Sequence, residues 1–299
     1  MPLNAMIART LLVVALALAA ADPAHVKEVE AWRAKHETDY RREWVSIDGL
    51  FFLKAGENRA GSARTNDIVL SPALPASVGS FVLTGHAVRF DPRPGVEILH
   101  KDQPVTSPID MRSDGGKEPA DELVVNGVRL VVHESGDRLA IRVRDDRGEM
   151  ARSFLGFRWF PIDGRYRVTG RLIRDPAPRE VKIPNMIGDI DTYTTEGVVE
   201  FTVNGRTLRL RPMTTRKNRF YFIFKDQSSG HETYAAARFL YSDLRDDGTT
   251  VLDFNEAYNP PCAFNPYTTC PIPPKENRLT IKILAGEKAY PREPKARTP

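Results

Sequence analysis

The sequence predicts an all-β protein with two β-rich halves behind one amphipathic N-terminal helix. The 299 residues are 41% hydrophobic and 27% charged, which is enough apolar material to bury a core. After the first 44 residues the chain is rich in Val, Ile, Thr, Phe and Tyr, with frequent Gly, Asn, Asp and Pro. Apolar and polar residues alternate there in short runs between turn signals. This spacing is typical of a sandwich or barrel rather than of βαβ units.

Residues 1–21 have the features of a secretory signal peptide. Arg9 precedes the apolar run LLVVALALAAA, and Ala19 and Ala21 supply small residues before Asp22. The run is too short to span a bilayer comfortably, although an uncleaved anchor helix is the alternative. We therefore expect a periplasmic or secreted protein, with no stable membrane insertion after cleavage.

The charge balance argues against a nucleic-acid partner. The formal net charge is +4 and falls to +3 when the segment containing Arg9 is removed. Basic residues alternate with acidic ones along the strand patterns instead of collecting in one basic patch. We therefore interpret them as solvated strand faces and expect no nucleic-acid binding.

A helix is predicted at residues 22–44, because large side chains recur there at steps of three and four. Pro23 suits the first turn of such a helix. The residues on the predicted docking face are Val26, Val29, Trp32, His36, Tyr40 and Trp44. His36 is interpreted as a packed residue on this face rather than as a metal ligand.

The β-rich part is divided into a first sandwich-like half at 45–173 and a second half at 174–290. The segment RDPAPRE, residues 174–180, is the predicted linker, because its prolines favour an extended path. Residues 291–299 lack apolar periodicity and are predicted to form a flexible tail.

Two Asn-Gly pairs predict β-hairpins with a fixed register. The turn at Asn204-Gly205 is expected to place four apolar residues on one face and Glu200 opposite Arg209 on the other. The expected pairs are Val203 with Arg206, Phe201 with Leu208, and Val199 with Leu210. Around the turn Asn126-Gly127 they are Val125 with Val128 and Leu123 with Leu130.

Three further strands are predicted from alternation. The residues expected to share a face are Leu139, Ile141 and Val143, then Phe220, Phe222 and Phe224, and finally Leu279, Ile281 and Ile283. In the first of these strands the intervening residues are Arg142 and Arg144.

The stretch GSARTNDIVLSP, which begins at Gly61, resembles the opening of a forkhead-associated sandwich. In that family an Arg follows the Gly and a Ser-x-x-His follows the strand, and both help to bind phosphothreonine. Here Ser62 follows the Gly and no Ser-x-x-His follows Leu70. The resemblance therefore implies a sandwich without phosphopeptide recognition.

A second resemblance covers residues 45–290. DFNEAYNPPCAFNPYTTCPIPPKENRLTIKILAGEK and FKDQSSGHETYAAARFLY are similar to the domain of unknown function 1684 family, as are GLFFLKAGENRAGS and RSFLGFRWFPIDGRYRV. Ala237 stands where the family usually has a Gly before the Arg. The resemblance implies no activity, but it marks the C-terminal motif as the distinctive part of the chain.

Cys262 and Cys270 are the two cysteines of the chain. In an exported protein, two thiols separated by such a short loop predict a disulfide. A metal site would need two more ligands, and the six His show no paired spacing, so no metal is expected. A cysteine nucleophile, which would need a free thiol and a nearby base, is the remaining alternative.

The loop around these cysteines is the predicted ligand-binding site. Amides and aromatic rings together suit sugars and other polar organic ligands, and a rigid loop lowers the cost of ordering. The predicted binding residues are Glu232, Tyr234, Arg238, Asp253, Asn255, Tyr258, Asn259, Asn265 and Tyr267. The alternative is that the amides satisfy the loop's own backbone. A buried Arg238 would need a carboxylate, for which Asp253 or Glu256 is the expected partner.

The predicted function is non-catalytic binding of a small polar or carbohydrate-like ligand. A hydrolase acting on envelope polymers or small esters is the first alternative, with Glu232 and Asp253, or Ser229, His231 and Asp226, as its catalytic groups. No Gly-x-Ser-x-Gly, P-loop, dinucleotide-binding or His-Glu-x-x-His pattern is present, so neither a catalytic residue nor a cofactor is assigned. A scaffold without a small ligand is the second alternative.

Overall fold

The structure is a computed structural model that describes residues 22–291. The predicted signal peptide and residues 292–299 of the predicted tail lie outside the described residues. Strands dominate the described part, and one long helix precedes them, as predicted. The fold class predicted from sequence is therefore confirmed.

The helical elements are short apart from the first. The two α-helices are α1 (Pro23–Tyr40) and α2 (Glu149–Ser153). A π-helical turn at Arg41–Val45 continues α1, so the helix predicted at residues 22–44 is present with a widened last turn. The 3₁₀ turns are Gly164–Tyr166, Phe254–Glu256, Pro261–Ala263 and Lys275–Asn277.

Eleven strands form the first half, in two sheets that face one another. They are β1 (Ile47–Phe52), β2 (Gly56–Gly61), β3 (Ile68–Val69), β4 (Gly79–Thr84), β5 (Ala87–Pro92), β6 (Leu99–His100), β7 (Gln103–Pro104), β8 (Ile109–Met111), β9 (Glu122–Val125), β10 (Val128–Ser135) and β11 (Arg138–Arg144). One sheet has the order β1-β11-β10-β9-β6-β7 and the other β3-β2-β4-β5-β8. The side chains of Phe81, Phe90 and Leu130 are fully buried between them. This is a sandwich core.

Seven strands form the second half. They are β12 (Arg167–Pro184), β13 (Ile190–Val203), β14 (Arg206–Leu210), β15 (Met213–Arg216), β16 (Arg219–Phe224), β17 (Arg238–Asp243) and β18 (Thr249–Asp253). The sheet order is β17-β16-β15-β13-β12-β18, with β14 paired to β13. The two ends approach one another, because Leu244 bridges Thr250 and the Thr250 Oγ1 donates to Ser242 Oγ at 2.7 Å. The sheet is therefore a nearly closed barrel.

The interior of this barrel is filled by the predicted phenylalanine face. Phe220, Phe222 and Phe224 are all fully buried and pack with Phe254 and Leu252. Because successive strand side chains point to opposite faces, the outer face of the same strand carries Tyr221 and Ile223. Those two residues belong to a separate cluster with α1 and the cysteine loop.

Both hairpin registers agree with prediction. Val199 pairs with Leu210 and Glu200 with Arg209, whose Nη2 donates to the Glu200 carboxylate at 2.7 Å. Asn204 has a φ of 49° and Gly205 a φ of 72°, which are the positive values that a type I′ turn requires. Around the second turn, the predicted pairs from Leu123 to Leu130 are also present.

Two local predictions are wrong. Residues 174–180 are not a linker, because β12 runs through them. The pairing of β12 with β13 is irregular between Arg174 and Arg179, and the prolines lie in this irregular stretch. The change from the first half to the second therefore falls between β11 and β12. Residues 278–283 form no named strand, although the Leu279 N–H donates to Lys225 O at 2.7 Å and Ile283 is fully buried.

The interpretation of strand arginines as solvated is wrong for β11. Arg142 is 3% exposed and Arg144 is 8% exposed. One face of this strand packs in the sandwich core, and the second face is also covered, by the helical turn at Arg41–Val45 and the cysteine loop. The Arg144 Nε donates to Glu43 O at 3.1 Å, and Arg142 lies over the Trp44 ring.

Candidate functional site

The three asparagines of the predicted ligand loop are inside the protein. Asn255, Asn259 and Asn265 are each 0% exposed. The Asn265 Nδ2 donates to Trp44 O at 3.1 Å and to Ile47 O at 2.7 Å. This amide therefore ties the loop to the start of the first sheet.

The other two amides make equivalent ties. The Asn255 Nδ2 donates to Asp163 O at 3.0 Å, and its Oδ1 accepts from the Asp163 N–H at 2.9 Å. The Asn259 Nδ2 donates to Lys288 O at 2.7 Å, and its N–H donates to the Glu287 carboxylate at 2.8 Å. The amides thus bond to backbone groups, but these groups belong to other segments of the chain and not, as the alternative had it, to the loop itself.

Arg238 is also fully buried, and its partner differs from the predicted one. Its guanidinium donates to Ala285 O at 2.6 Å and to Ile283 O at 3.0 Å, and it forms an ion pair with Asp226. The expected pairing with Asp253 or Glu256 is wrong, because the Ser-Ser-Gly turn brings Asp226 back against β17. Burial lowers the pKa of Arg238, and the Asp226 carboxylate opposes this shift.

The remaining predicted residues are spread around the loop. Asp253 accepts from the His25 ring at 2.5 Å, and Glu232 accepts from Lys282 Nζ at 2.6 Å. The Tyr234 hydroxyl donates to Cys262 O at 3.2 Å, and Tyr267 is half-buried.

Neither predicted catalytic set is assembled. Glu232 and Asp253 are each paired with a different basic side chain. The Ser229 Oγ accepts from the Asp226 N–H at 3.2 Å, whereas the Asp226 carboxylate bonds to Arg238 instead of to a histidine.

The predicted Cys262–Cys270 disulfide is wrong for this structure, in which both residues are free, buried thiols. The Cys262 N–H donates to Cys270 Sγ at 3.2 Å, and the 3₁₀ turn at Pro261–Ala263 fixes that geometry. The loop is held instead by the asparagine contacts and by packing of Phe264 against Tyr40.

Tyr258 leads to a site that the sequence did not indicate. It lines a cavity of about 370 Å³ between the two halves, within the size range of small-molecule sites. The aromatic residues of its wall are Tyr40, Trp44, Tyr193, Tyr221, Phe239, Tyr241 and Tyr258. The polar residues are Asp114, His133, Glu134, Arg142, Asp191, Thr215 and Thr269. We call this space the interhalf cavity.

The outer face of the barrel sheet supplies most of the aromatic wall. Tyr221 on β16 lies directly opposite Tyr241 on β17, and their rings stack with centroids 4.8 Å apart. The Tyr221 ring also meets Phe239 edge to face at 5.0 Å. Cross-strand register thus builds a continuous ring surface.

The sandwich sheet supplies the polar end of the cavity. The His133 Nδ1 lies 2.9 Å from Asp114 Oδ2, and its Nε2 lies 3.0 Å from Thr269 Oγ1. The Arg142 Nη1 donates to the same Asp114 oxygen at 2.9 Å. His133 is 7% exposed, whereas the Asp114 side chain is 28% exposed, so the imidazole is buried and the carboxylate keeps some access to solvent.

Burial and charge set the protonation states at this end. Burial alone would raise the pKa of Asp114, but the His133 ring and the Arg142 guanidinium hold it below its usual range. Burial lowers the pKa of His133, partly opposed by Asp114. His133 is therefore neutral at pH 7, with its Nε2 lone pair directed at the Thr269 hydroxyl.

The cavity contains more acidic than basic side chains. Asp114, Glu134 and Asp191 line it together with one guanidinium, that of Arg142. Burial raises the pKa of Asp191. These carboxyl groups are acceptors, which suits the hydroxyl groups of a neutral ligand.

A smaller cavity of about 260 Å³ lies beyond Tyr241 and includes Asp253 and Glu256. Burial and the neighbouring Asp253 raise the pKa of Glu256 to about 7. Of the residues predicted to bind a ligand, Asp253 therefore lines this smaller cavity, whereas Tyr258 lines the interhalf cavity.

Sequence reasoning missed the polar end because its members come from distant segments. One signal was available: the β10–β11 register puts His133 on the same face as Arg142, two positions further along the pair. Several polar side chains, among them Arg129, His133, Arg142 and Arg144, thus share one face of a central strand pair, which predicts either solvent or a buried polar site. The solvent interpretation was the wrong choice.

Within residues 22–291, no helix is long and apolar enough to cross a membrane. The same residues contain no cluster of three or more His, Cys, Asp or Glu side chains that could hold a metal ion.

A comparison with protein-family models matches part of the chain. Residues 152–288 match the family model described as a protein of unknown function, DUF1684. The resemblance noted from sequence is confirmed over that range, and residues 45–151 lie outside the match. No curated protein matches the chain.

Two solved structures are similar to parts of the chain. An uncharacterized protein from Haloarcula marismortui shares 28% identity at a TM-score of 0.40, over 47% of this chain and 80% of that one. Mycobacterium tuberculosis EmbR, solved in complex with a low affinity phosphopeptide, shares 14% identity at a TM-score of 0.22, over 41% of this chain and 31% of that one. At these scores neither similarity establishes a shared fold or function.

Proposed function

We propose that this protein is exported and binds a small, neutral, carbohydrate-like ligand in the interhalf cavity. One observation carries the proposal: a cavity of about 370 Å³ has rings on one wall and acceptor carboxylates at the other end. Sugars present apolar faces that pack on aromatic rings and hydroxyl groups that donate to carboxylates. Both surfaces are available here within one space.

The ligand lies in the cavity rather than on the outside of the cysteine loop. The loop asparagines are buried and bond to backbone groups, whereas the cavity exposes Tyr193, Tyr241 and Tyr258 along one wall. Because the cavity carboxyl groups outnumber its one guanidinium, an anionic ligand would meet repulsion.

The proposal is tested by calorimetric titration with glucose, galactose and N-acetylglucosamine, with glucuronate as the charged comparison. Tyr193→Ala should weaken binding about tenfold, the equivalent of about 1.4 kcal/mol for one lost ring contact. Tyr267→Ala is the matched control, since Tyr267 is a half-buried loop tyrosine that does not line the cavity.

The results separate the two locations. Loss of binding in Tyr193→Ala alone supports the cavity, and loss in Tyr267→Ala alone moves the site to the loop. If none of the neutral sugars binds, or if glucuronate binds most tightly, the proposed ligand class is wrong.

Export rests on the signal-like segment and is tested separately. The intact mass of protein recovered from the medium or periplasm should correspond to a chain that begins at Asp22. Recovery of a full-length chain from the cytoplasm or the membrane fraction would contradict it.

A further inference from the structure

A hydroxyl, an imidazole and a carboxylate follow one another at the polar end of the interhalf cavity. The Thr269 Oγ1 lies 3.0 Å from His133 Nε2, and the opposite ring nitrogen lies 2.9 Å from Asp114. These distances fall within the range for a nucleophile, its general base and the residue that orients the base.

The proton positions follow from the contacts. An ionised Asp114 can only accept, so His133 Nδ1 carries the hydrogen and donates it. The Nε2 therefore has a free lone pair and accepts from the Thr269 hydroxyl. This is the tautomer that general-base activation of a hydroxyl requires.

Arg142 supplies an electrostatic partner in the same space. Its side chain is 3% exposed and lines the cavity, and its Nε is buried with no hydrogen-bond partner among the described residues. The Nε itself is enclosed by protein, so a ligand in the cavity would meet the charge of the guanidinium rather than this N–H. That charge would stabilise negative charge that develops on a ligand carbonyl oxygen.

We propose that the interhalf cavity is an active site that hydrolyses neutral carboxylic esters of sugar-like alcohols, with Thr269 as nucleophile. The inference rests on the proposed binding of a carbohydrate-like ligand in this cavity. It assigns a reaction to residues that none of the catalytic sets considered from sequence contained.

The reaction is a two-step acyl transfer to water. The Thr269 Oγ attacks the ester carbonyl carbon while His133 Nε2 takes its proton, and the carbonyl oxygen becomes an oxyanion beside Arg142. The C–O bond to the alcohol then breaks, and His133 returns the proton to the leaving alcohol. Water, deprotonated by His133, attacks the acyl-threonine, which releases the carboxylic acid and restores Thr269.

A purely structural role for the same bond is the competing explanation, because Thr269 also joins the cysteine loop to β10. The test therefore measures acetate release from 6-O-acetylglucose and hydrolysis of p-nitrophenyl acetate, with and without the hydroxyl. Thr269→Ala should lower kcat/KM about 100-fold or more, and Thr269→Ser should retain it within about tenfold. Thr207→Ala is the control, because Thr207 lies on an exposed hairpin away from the cavity, with its hydroxyl 3.3 Å from that of Thr202.

The nucleophile has a direct signature as well. A phosphonate ester should add one covalent label to the wild-type protein, and peptide mass spectrometry should place it on Thr269. His133→Gln should abolish labelling while thermal unfolding shows a folded protein. A label on Cys270 instead, or turnover that Thr269→Ala leaves unchanged, overturns the assignment.

Asp114 is a positioning residue, and its test uses the pH profile. The charged groups acting on His133 include Asp114, Arg142, Arg144 and Asp189. Asp114 raises the pKa of His133, so Asp114→Asn should move the acidic limb of kcat to lower pH while KM changes little. A merely structural Asp114 would leave that limb in place.

Failure of the reaction is distinguishable from failure of binding. If 6-O-acetylglucose binds in the calorimeter without acetate release, the cavity remains a binding site and the catalytic inference is overturned. If it neither binds nor reacts, both proposals fail.

Discussion

The cysteine loop and the polar end of the interhalf cavity contain similar side chains in opposite situations. In the loop, the amides of Asn255 and Asn265 bond to backbone carbonyls and are fully buried. In the cavity, His133 keeps a lone pair directed at the Thr269 hydroxyl. Buried atoms without a hydrogen-bond partner among the described residues occur on both sides, at Arg142 Nε in the cavity wall and at Asn259 Oδ1 in the loop. Polar crowding in this sequence therefore marks residues that hold the loop in place, whereas the proposed site is identified by an open space with polar groups at one end.

Mutations can test whether the polar groups of the loop serve stability and those of the cavity serve binding. Removing a polar group of the loop should lower stability and leave cavity binding unchanged in the folded protein. Removing one at the cavity should weaken binding of the neutral sugars in the folded protein, whatever its effect on stability.

The largest effect is expected at the buried pair behind the loop. Asp226→Asn leaves the Arg238 guanidinium, which is 0% exposed, without its counter-charge. Breaking a buried pair in this way costs about 3–5 kcal/mol. Urea unfolding monitored by circular dichroism measures the loss.

The control for this pair is Glu200→Gln, which breaks the exposed ion pair with Arg209. An exposed pair is worth about 0–1 kcal/mol. Equal losses of unfolding free energy in the two variants would show that burial of Arg238 does not depend on Asp226. The polar groups behind the loop would then not be needed for stability.

The next effect concerns the asparagine that ties the loop to the first sheet. Asn265→Ala removes donors to Trp44 O and Ile47 O in a fully buried place, so both carbonyls lose a partner. The expected loss of unfolding free energy is about 2–3 kcal/mol. Asn66→Ala is the matched control, since its Nδ2 also donates to two carbonyls, at 3.0 Å and 2.8 Å, but in a solvent-accessible place.

Asn265→Ala also tests whether the loop serves stability and the cavity serves binding. Affinity for the neutral sugars should match wild type in the folded fraction at low temperature. Weaker binding with unchanged stability would show that the loop amide contacts the ligand after all.

A pH dependence is expected from Glu287, which accepts from the Asn259 N–H and is 2% exposed. Burial raises the pKa of this carboxyl to about 8, from 4.5 in the unfolded chain, although Asn259 partly opposes the shift. Between these values the folded protein holds a proton that the unfolded chain has released. Stability therefore falls as pH rises through this window, by up to about 1.4 kcal/mol per pH unit.

Glu287→Gln should flatten this slope in urea titrations at pH 5, 6, 7 and 8. The pKa of Glu256 is also raised, to about 7, so this residue likewise makes the unfolding free energy fall as pH rises. Part of the pH dependence should therefore remain in Glu287→Gln. Parallel curves for wild type and Glu287→Gln would mean that Glu287 is ionised in the folded protein.

The sequence was informative wherever a local rule determined the result. Asn204-Gly205 fixed a turn and thereby every pair along β13 and β14, and the alternation of Phe220, Phe222 and Phe224 identified the barrel interior. The prolines of residues 174–180 were misleading, because a pairing irregularity lets β12 continue through them.

The candidate site was less predictable, because it depends on which parts of the second half and of the N-terminal helix cover the outer face of the first sheet. Arg142 lies on a strand face that alternation marks as polar, and nothing local shows that Trp44 and the cysteine loop bury it. His133 and Asp114 come from separate segments of the first half, and Thr269 reaches them only when the two halves pack. Only Tyr258, among the residues predicted to bind ligand, lines the interhalf cavity.

The smallest effect is expected from the thiols. Because Cys262 and Cys270 are free in this structure, a reducing agent should leave the unfolding midpoint of the purified protein unchanged. Alkylation of the denatured protein without prior reduction should add two labels, which intact mass spectrometry counts. A disulfide closing this short loop would instead contribute roughly 2–3 kcal/mol, and its reduction would lower the midpoint. No labels together with such a drop would show that the exported protein holds its loop by a covalent bond, whereas two labels and no drop leave the buried asparagines as the groups that hold it.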